Sequence, residues 1–328
     1  MIKGIQKIKN AFLNFGPIVQ LLHWSKTHSL PGFYGVSIYT TLSFINFELK
    51  KNDLETRASA MSYNFFLALF PTLIFLFTLT AYLPKSWDFF TTLENSLNSI
   101  MPEGAKDYLW KNIVGAIRPK ANKSFLSIGF LLAVFFASNG ILSMMSGFDK
   151  TYRSSFRRRS WIEKHLIALL LTFLLSILLI FSIVLIIMGS YIFNWVFGLL
   201  KLGTLAALSI KLLQYVIIIL LFYTVIDLIY RFGPALRKPM KGFSPGTIFA
   251  TTASILTSVV FGYFVENFSS YHKIYGAISA LIITLVWIRI NVLILILGFE
   301  LNAGIIINRD ILSDTGEADV IQSNQRHF

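Results

Sequence analysis

Six long apolar segments constrain this chain more than any other feature of its sequence. An α-helix needs about 20 mostly apolar residues to cross the hydrocarbon core of a bilayer. In lipid the backbone satisfies its hydrogen bonds only as a helix or a closed barrel. The segments therefore predict an all-α, polytopic membrane protein with six transmembrane helices. They occupy roughly residues 58–83, 125–148, 165–197, 207–230, 246–265 and 276–305.

The composition supports this class and weakens several others. Of the 328 residues, 55% are hydrophobic and 14% are charged, whereas soluble domains contain about 25% charged residues. The absence of cysteine excludes disulfides, thiolate metal sites and cysteine nucleophiles. No HExxH, GxxxxGK[ST] or GxGxxG motif occurs. We therefore expect no cofactor, no metal site and no catalytic residue, and we interpret the chain as a non-enzymatic protein.

The distribution of Lys and Arg predicts the orientation in the membrane. The connections after the second and fourth segments are rich in basic residues, whereas those after the third and fifth contain one each, Lys201 and Lys273. Cytoplasmic loops carry the excess of Lys and Arg, so both termini are expected in the cytoplasm. This bias accounts for most of the net charge of +13, and no nucleic-acid partner is needed to explain it.

The segments divide the chain into three regions. Residues 1–50 are expected to form amphipathic helices, either on the membrane surface or against the protein's own cytoplasmic face. Residues 51–305 form the transmembrane domain, which includes an external amphipathic connection over residues 84–124. Residues 306–328 are polar and acidic, which is typical of a disordered tail.

Three consecutive arginines follow the second segment, Arg157, Arg158 and Arg159. Their position favours a topological signal combined with contacts to lipid phosphates on the cytoplasmic leaflet. We therefore expect anionic headgroups of membrane lipids as partners of these side chains.

Seven polar side chains lie within the apolar segments or directly beside them, mostly toward the predicted cytoplasmic side. A charge at the centre of a membrane helix costs about 2.5–3.5 kcal/mol on insertion scales, so such residues face protein or water. They predict a polar cavity open to the cytoplasm. The alternative is that they are interfacial side chains and interhelical hydrogen bonds that hold the bundle together. The predicted substrate path comprises Arg57, Asn64, Asn139, Asp227, Arg231, Arg289 and Glu300.

Arg289 stands out among the seven because apolar residues flank it near the middle of the sixth segment. It lies eleven residues before Glu300, which places both side chains about 20° apart on one helix face. Its expected partners are Asn291, Asn139, Glu266 or a bound anion. It is either a substrate-binding or coupling residue, or a buried structural cation.

Several motifs in this order resemble the YihY/BrkB family of six-helix bacterial inner-membrane proteins. Two positions depart from the family pattern, since Asp149 stands where Asn is more usual and Arg289 where an uncharged residue is general. The matching motifs are Arg57–Pro71 (RASAMSYNFFLALFP), Tyr230–Pro234 (YRFGP), Ser244–Gly246 (SPG), Tyr271–Gly276 (YHKIYG), Trp287 and Gly298–Ala303 (GFELNA).

The resemblance implies a multi-pass protein of the bacterial inner membrane. The family has been named a virulence factor and, historically, a ribonuclease, and transport of lipid-like molecules has been suggested for its members. The dispersed carboxylates of this chain do not favour a nuclease, because metal-dependent phosphodiester cleavage needs clustered ligands. We expect a transporter or lipid-translocating protein with an amphiphilic or anionic substrate. The alternatives are a structural or scaffolding membrane protein and a membrane-bound nuclease.

Overall fold

The computed structural model describes residues 16–51, 54–80, 123–200, 204–238, 243–267 and 277–325. Within these ranges the chain forms eight α-helices and one isolated β-bridge, which confirms the all-α class. The two short N-terminal helices precede six long ones. The helices are α1 (Gly16–Thr27), α2 (Ile38–Lys51), α3 (Leu54–Thr80), α4 (Lys123–Gly147), α5 (Trp161–Leu200), α6 (Thr204–Phe232), α7 (Pro245–Asn267) and α8 (Ala277–Gln325).

The six long helices, α3 to α8, each contain a stretch that is long and apolar enough to cross a membrane. This confirms the six predicted transmembrane helices. The stretches are Leu54–Phe75, Ser127–Gly147, Trp161–Ser182, Tyr215–Phe232, Pro245–Val265 and Leu281–Ile311. The predicted external connection falls almost wholly on residues 81–122, which lie outside the described residues, as do residues 1–15 of the N-terminal amphipathic region.

The structure differs from the sequence-based expectation at the C-terminal end. Composition predicts a disordered tail from residue 306, whereas α8 continues as a helix to Gln325. The physical reason lies at the start of this segment, where Ile305, Ile306 and Ile307 are fully buried. Their burial holds the helix against the protein beyond the length that a bilayer requires.

The six long helices form a closed ring in the order of the sequence. Each packs against its neighbours in the chain, and α8 closes the ring by packing against both α7 and α3. The core lies where α4, α6 and α8 meet, around Phe148, Tyr230 and Phe299. The rings of Phe148 and Phe299 stack with their centroids 4.3 Å apart.

Two glycines allow α7 and α8 to approach closely. A Cβ atom at Gly246 would overlap the carbonyl oxygen of Gly298, and one at Gly298 would meet the hydroxyl of Tyr230. Asn302 closes the same contact, since its Oδ1 accepts a hydrogen bond of 2.8 Å from the backbone nitrogen of Gly246. Small residues at such crossings are typical of membrane helices.

The helix α2 packs on the protein's own surface with one face and exposes the other. Phe44 and Thr41 lie against Gly304 of α8, and the carboxyl group of Glu48 is buried on the same face. Tyr39, Leu42 and Phe47 are exposed on the opposite side. The helix therefore has an anchored face and an exposed outer face, on which these large side chains lie beside the polar Thr40, Ser43 and Asn46.

Two connections on the predicted cytoplasmic side are hydrogen-bonded to each other. An antiparallel bridge pairs Phe156, from the α4–α5 connection, with Leu236, from the α6–α7 connection. The backbone nitrogen of Arg157 donates to the carbonyl oxygen of Ala235 at 2.8 Å, and that of Arg237 donates to Ser155 at 2.9 Å. We call this pair of connections the bridged loops.

The close approach of α7 and α8 predicts that Gly246→Ala destabilises the protein. The added methyl group overlaps backbone, and overpacking of this kind costs about 1–3 kcal/mol. Thermal unfolding in detergent measures the effect. The matched control on the same helix is Gly262→Ala, since a Cβ there has no heavy atom within 4 Å. Equal melting temperatures for the two variants would contradict the crossing described above.

The predicted orientation can be tested with single cysteines, because the chain has none of its own. A membrane-impermeant maleimide is expected to label Ser154→Cys, in the exposed bridged loops, only in inverted vesicles. Gly203→Cys, in the connection between the third and fourth spans, should react only in intact spheroplasts. The opposite pattern would reverse the topology that the Lys and Arg distribution predicts.

Candidate functional site: a buried charge cluster and its surroundings

Glu300 of α8 binds two cations in the interior of the protein. Its side chain is 0% exposed, and Arg57 and Lys150 both reach it. Both terminal nitrogens of Arg57 lie 3.0 Å from Glu300 Oε1. The Nζ atom of Lys150 lies 2.9 Å from Oε1 and 2.7 Å from Oε2. One carboxylate therefore serves two basic side chains.

Glu48 of α2 completes this group from the other side of Lys150. The Nζ atom of Lys150 donates to Glu48 Oε2 at 2.9 Å, and the hydroxyl of Tyr152 donates to Glu48 Oε1 at 3.0 Å. We call Glu48, Arg57, Lys150, Tyr152 and Glu300 the buried charge cluster. Its two carboxylates balance its two cations.

Four separate parts of the sequence bring these side chains together. Glu48 comes from the end of α2, Arg57 from the first turns of α3, and Glu300 from α8. Lys150 and Tyr152 follow the C-terminal end of α4, where Arg57 also donates to the carbonyl oxygen of Gly147. A cation at that end complements the helix dipole and an unpaired carbonyl group.

The environment of Tyr152 keeps its hydroxyl protonated. Burial, followed by the hydrogen bond to Glu48 and the charges of Glu48 and Glu300, raises the pKa of Tyr152 to about 12. The phenol therefore remains a hydrogen-bond donor to the Glu48 carboxylate at any physiological pH.

The structure places Arg57 and Glu300, two of the seven predicted path residues, in direct contact within this cluster. Asp227 and Arg231 form a separate ion pair, one turn apart on α6. That pair borders a small cavity of about 20 Å³ between α6 and α8, which Ser244 and Asn302 also line. A cavity of this size has room for about one water molecule.

The two predicted asparagines lie elsewhere on α3 and α4. The side chain of Asn64 donates to the carbonyl oxygen of Ala60 in its own helix at 2.9 Å. Asn139 is partly buried on α4. The seven residues therefore do not meet in one place, and only Arg57 and Glu300 belong to the buried charge cluster.

Arg289 lies at the contact between α8 and α3, with partners that the sequence did not predict. Its guanidinium pairs with the carboxylate of Glu55 and donates to the hydroxyl of Ser59 at 3.0 Å. The side chains of Arg289 and Glu55 are 42% and 67% exposed. Among the expected partners, Asn291 instead donates to the carbonyl oxygen of Trp287, and the side chain of Glu266 lies outside the described residues.

The depth of Arg289 also differs from the expectation. Its partners Glu55 and Ser59 belong to the first turns of α3, near the end that the charge distribution predicts to be cytoplasmic. The long arginine side chain carries its charge toward that end and away from the middle of the span.

The three consecutive arginines have three different environments. Arg159 donates to the carbonyl oxygens of Phe232, Gly233 and Pro234 at 2.6–3.0 Å, and thereby caps the C-terminal end of α6. Arg157 pairs with Glu163, and Arg158 is exposed. Contacts of these arginines with lipid phosphates stay a prediction.

Sequence reasoning left Glu48, Lys150 and Tyr152 out of the predicted site. A signal for Glu48 was available, since Thr41, Phe44 and Glu48 recur at helical spacing on one face of α2. A carboxylate on a face that is otherwise buried requires a buried cation. Nothing local indicates Tyr152, because its partner is more than one hundred residues away in the sequence.

The sequence of this chain matches a known protein family over most of its length. The model of the family described as virulence factor BrkB matches residues 47–319 of this chain. The chain belongs to the BrkB family. The resemblance seen in the sequence motifs is thereby confirmed, and the matched region includes every member of the buried charge cluster.

Three relatives illustrate the family. The putative ribonuclease-like protein YfkH of Bacillus subtilis is 27% identical over 249 residues, which cover 76% of this chain and 89% of the relative. A UPF0761 membrane protein of Psychromonas ingrahamii is 26% identical over 272 residues, or 81% and 87% of the two chains. The UPF0761 membrane protein PSHAa0171 of Pseudoalteromonas translucida is 33% identical over 111 residues, which cover 34% of this chain and 35% of the relative.

The relatives and the six apolar helices establish a multi-pass bacterial membrane protein. No solved structure matches the chain significantly.

The buried charge cluster predicts a large stability loss for Glu300→Gln. The amide leaves Arg57 and Lys150 with a single carboxylate between them, and removing one partner of a buried ion pair costs about 3–5 kcal/mol. Thermal unfolding in detergent measures the loss. The control is Glu163→Gln, whose exposed pair with Arg157 should contribute little. A Glu300→Gln protein as stable as the control would show that the cluster does not hold the fold together.

Proposed function

We propose that this BrkB-family protein is a transporter or lipid-translocating protein whose substrate is an amphiphile with an anionic headgroup. The observation that carries the proposal is the placement of Arg289. A cation within an apolar span lies partly exposed at the α3–α8 contact, next to a more exposed carboxylate and a hydroxyl.

The Arg289–Glu55 pair is suited to exchange partners. Exposed ion pairs contribute about 0–1 kcal/mol, so a headgroup phosphate can displace Glu55 at little cost. Arginine binds phosphate oxygens through two parallel hydrogen bonds, which makes it the appropriate residue for this purpose. The long apolar flanks of Arg289 on α8 provide a surface for the acyl chains.

The geometry favours a path along the outer α3–α8 face over a path through the ring. The buried charge cluster is filled by its own side chains, and the cavity beside Asp227 holds about one water molecule. Neither accepts a headgroup in this conformation. The outer face presents Arg289 and Glu55 without such an obstacle.

A structural or scaffolding role is the second candidate, and the buried charge cluster favours it. Arg57, Lys150, Glu48 and Glu300 pair with one another, as expected of groups that assemble a bundle. On this alternative the purified protein moves no lipid, and its polar residues matter only for stability.

We infer in addition that the protein is not an enzyme, although one relative is named ribonuclease-like. Purified protein with Mg²⁺ or Mn²⁺ is then expected to leave RNA intact. Metal-dependent cleavage that persists through successive purification steps would overturn this inference.

The proposed function predicts that Arg289→Leu slows lipid movement. Vesicles containing the purified protein and a fluorescently labelled phosphatidylglycerol are treated with dithionite, which destroys only the label on the outer leaflet. We expect the exchange rate to fall about tenfold relative to the wild type, which corresponds to about 1.4 kcal/mol of lost transition-state stabilisation.

The matched control is Lys238→Leu, which removes one positive charge from an exposed position in the bridged loops and should leave the rate unchanged. Melting temperatures equal to that of the wild type in both variants would exclude unfolding as the cause. A wild-type lipid exchange rate equal to that of protein-free vesicles would favour the scaffolding role. Equal exchange rates for the two variants would show that Arg289 is not part of the path.

A further inference from the structure

The carboxylate of Glu48 is held as a bound anion would be held. Each oxygen has its own donor, with Lys150 Nζ at 2.9 Å from Oε2 and the Tyr152 hydroxyl at 3.0 Å from Oε1. The side chains of Glu48 and Lys150 are each only 2% exposed. Lys150 and Tyr152 are fixed beside each other by the short connection that follows α4, whereas Glu48 is brought to them by a different helix.

The charges around this place require an anion. Without Glu48, the remaining charged members are Arg57, Lys150 and Glu300, with a net charge of +1. Glu300 is already shared between the two cations. A buried excess cation is strongly unfavourable, so the position occupied by Glu48 has to contain a negative charge from some source.

The helix that supplies Glu48 is a peripheral element. It is not one of the six ring helices. It contacts α8 through Thr41 and Phe44 at Gly304, and the ring centroid of Phe44 lies 5.6 Å from that of Tyr152. Its exposed outer face carries three large apolar side chains, Tyr39, Leu42 and Phe47, beside the polar Thr40, Ser43 and Asn46. Such a face beside the predicted cytoplasmic surface is compatible with contact to acyl chains.

We propose that Lys150 and Tyr152, backed by Arg57 and Glu300, form a binding site for the phosphate or carboxylate group of an anionic lipid, and that Glu48 is its internal occupant. When α2 moves away, a lipid headgroup replaces the Glu48 carboxylate and restores the charge balance. The large apolar side chains exposed on α2, Tyr39, Leu42 and Phe47, favour a lipid over a soluble anion. The proposal goes beyond the proposed function, because headgroup binding at this site does not require translocation.

The first test removes the internal occupant. Glu48→Ala deletes the equivalent of an acetate ion, so added acetate is expected to rescue the purified protein. A ligand that binds only the folded state stabilises it in proportion to its occupancy, and we expect acetate to raise the melting temperature by about 3 °C over chloride at equal ionic strength. The effect should vanish in Glu48→Ala combined with Lys150→Met. Glu163→Ala, from an exposed pair, is the matched control.

The second test identifies the source of the anion. Short-chain phosphatidylglycerol, short-chain phosphatidylcholine and inorganic phosphate are compared as ligands of Glu48→Gln, which keeps the shape of the side chain and therefore guards against misfolding. We expect phosphatidylglycerol to bind Glu48→Gln at least about fivefold more tightly than phosphatidylcholine does. We also expect phosphatidylglycerol to bind Glu48→Gln more tightly than it binds the wild type. Preference for inorganic phosphate over the lipid would overturn the assignment to a lipid headgroup.

The third test asks whether α2 moves in the wild-type background. A Cβ at Gly304 would lie 3.6 Å from Thr41 Cγ2, so Thr41→Cys with Gly304→Cys places two thiols within reach of a disulfide. Oxidation should abolish phosphatidylglycerol binding at this site, and reduction should restore it. Identical binding in both states would show that Glu48 is not displaced.

These outcomes are independent of the vesicle assay for lipid movement. Acetate rescue that requires Lys150, together with headgroup binding that the disulfide blocks, supports the site even where no lipid crosses the bilayer. Absence of anion-specific stabilisation in both Glu48→Ala and Glu48→Gln overturns it, whatever the translocation rate.

Discussion

The neutralisation of Glu300 is the interaction on which the rest of this structure depends. A carboxylate at a fully buried position of α8 is tolerable only because Arg57 and Lys150 reach it from two other parts of the chain. Those contacts fix α3 and the end of α4 relative to α8. Through Lys150 they also fix α2, because the same ammonium group binds Glu48. The relative positions of α2, α3, α8 and the end of α4 therefore depend on this one set of ion pairs.

Apolar packing alone would specify this arrangement poorly. In a bilayer, lipid tails are as apolar as leucine side chains, so helix association depends on close packing and polar contacts. Gly246 and Gly298 allow the close packing of α7 and α8, and the buried charge cluster provides the polar contacts. Both lie toward the predicted cytoplasmic half of the ring, where most of the core side chains also meet.

The helices were predictable from the sequence and their partners were not. Six apolar stretches and a Lys and Arg bias follow directly from the chemistry of the bilayer, which acts on each segment separately. The pairing of Arg289 with Glu55, by contrast, joins residues 234 positions apart, and no local pattern encodes it. Arg289 and Glu300 share a helix face, yet they bind different residues of α3. They lie about three helical turns apart, and the long arginine side chain extends along the helix toward Glu55, so the position of its Cα does not determine the depth of its charge.

The predicted disordered tail is a second case in which the local sequence is not sufficient to predict the structure. Polarity after residue 308 suggests disorder when each residue is judged by its own solubility. The three isoleucines before it are buried against other parts of the protein, and they extend α8 past the point where its composition changes. Cooperative helix growth then carries the regular structure further.

The bridged loops have a consequence for how the molecule can deform. They tie the α4–α5 connection to the α6–α7 connection through a backbone bridge, Arg159 joins them to the end of α6, and Ser155 donates to Asp310 of α8 at 2.6 Å. The predicted cytoplasmic ends of α4, α5, α6 and α8 are thus hydrogen-bonded into one unit, and they cannot spread apart without breaking the backbone bridge, the Arg159 cap or the Ser155–Asp310 hydrogen bond. Any large movement of the ring must pivot about this unit, with the opposite ends of the helices travelling furthest, while α2 is attached on the same side through the Glu48–Lys150 ion pair and its packing on α8.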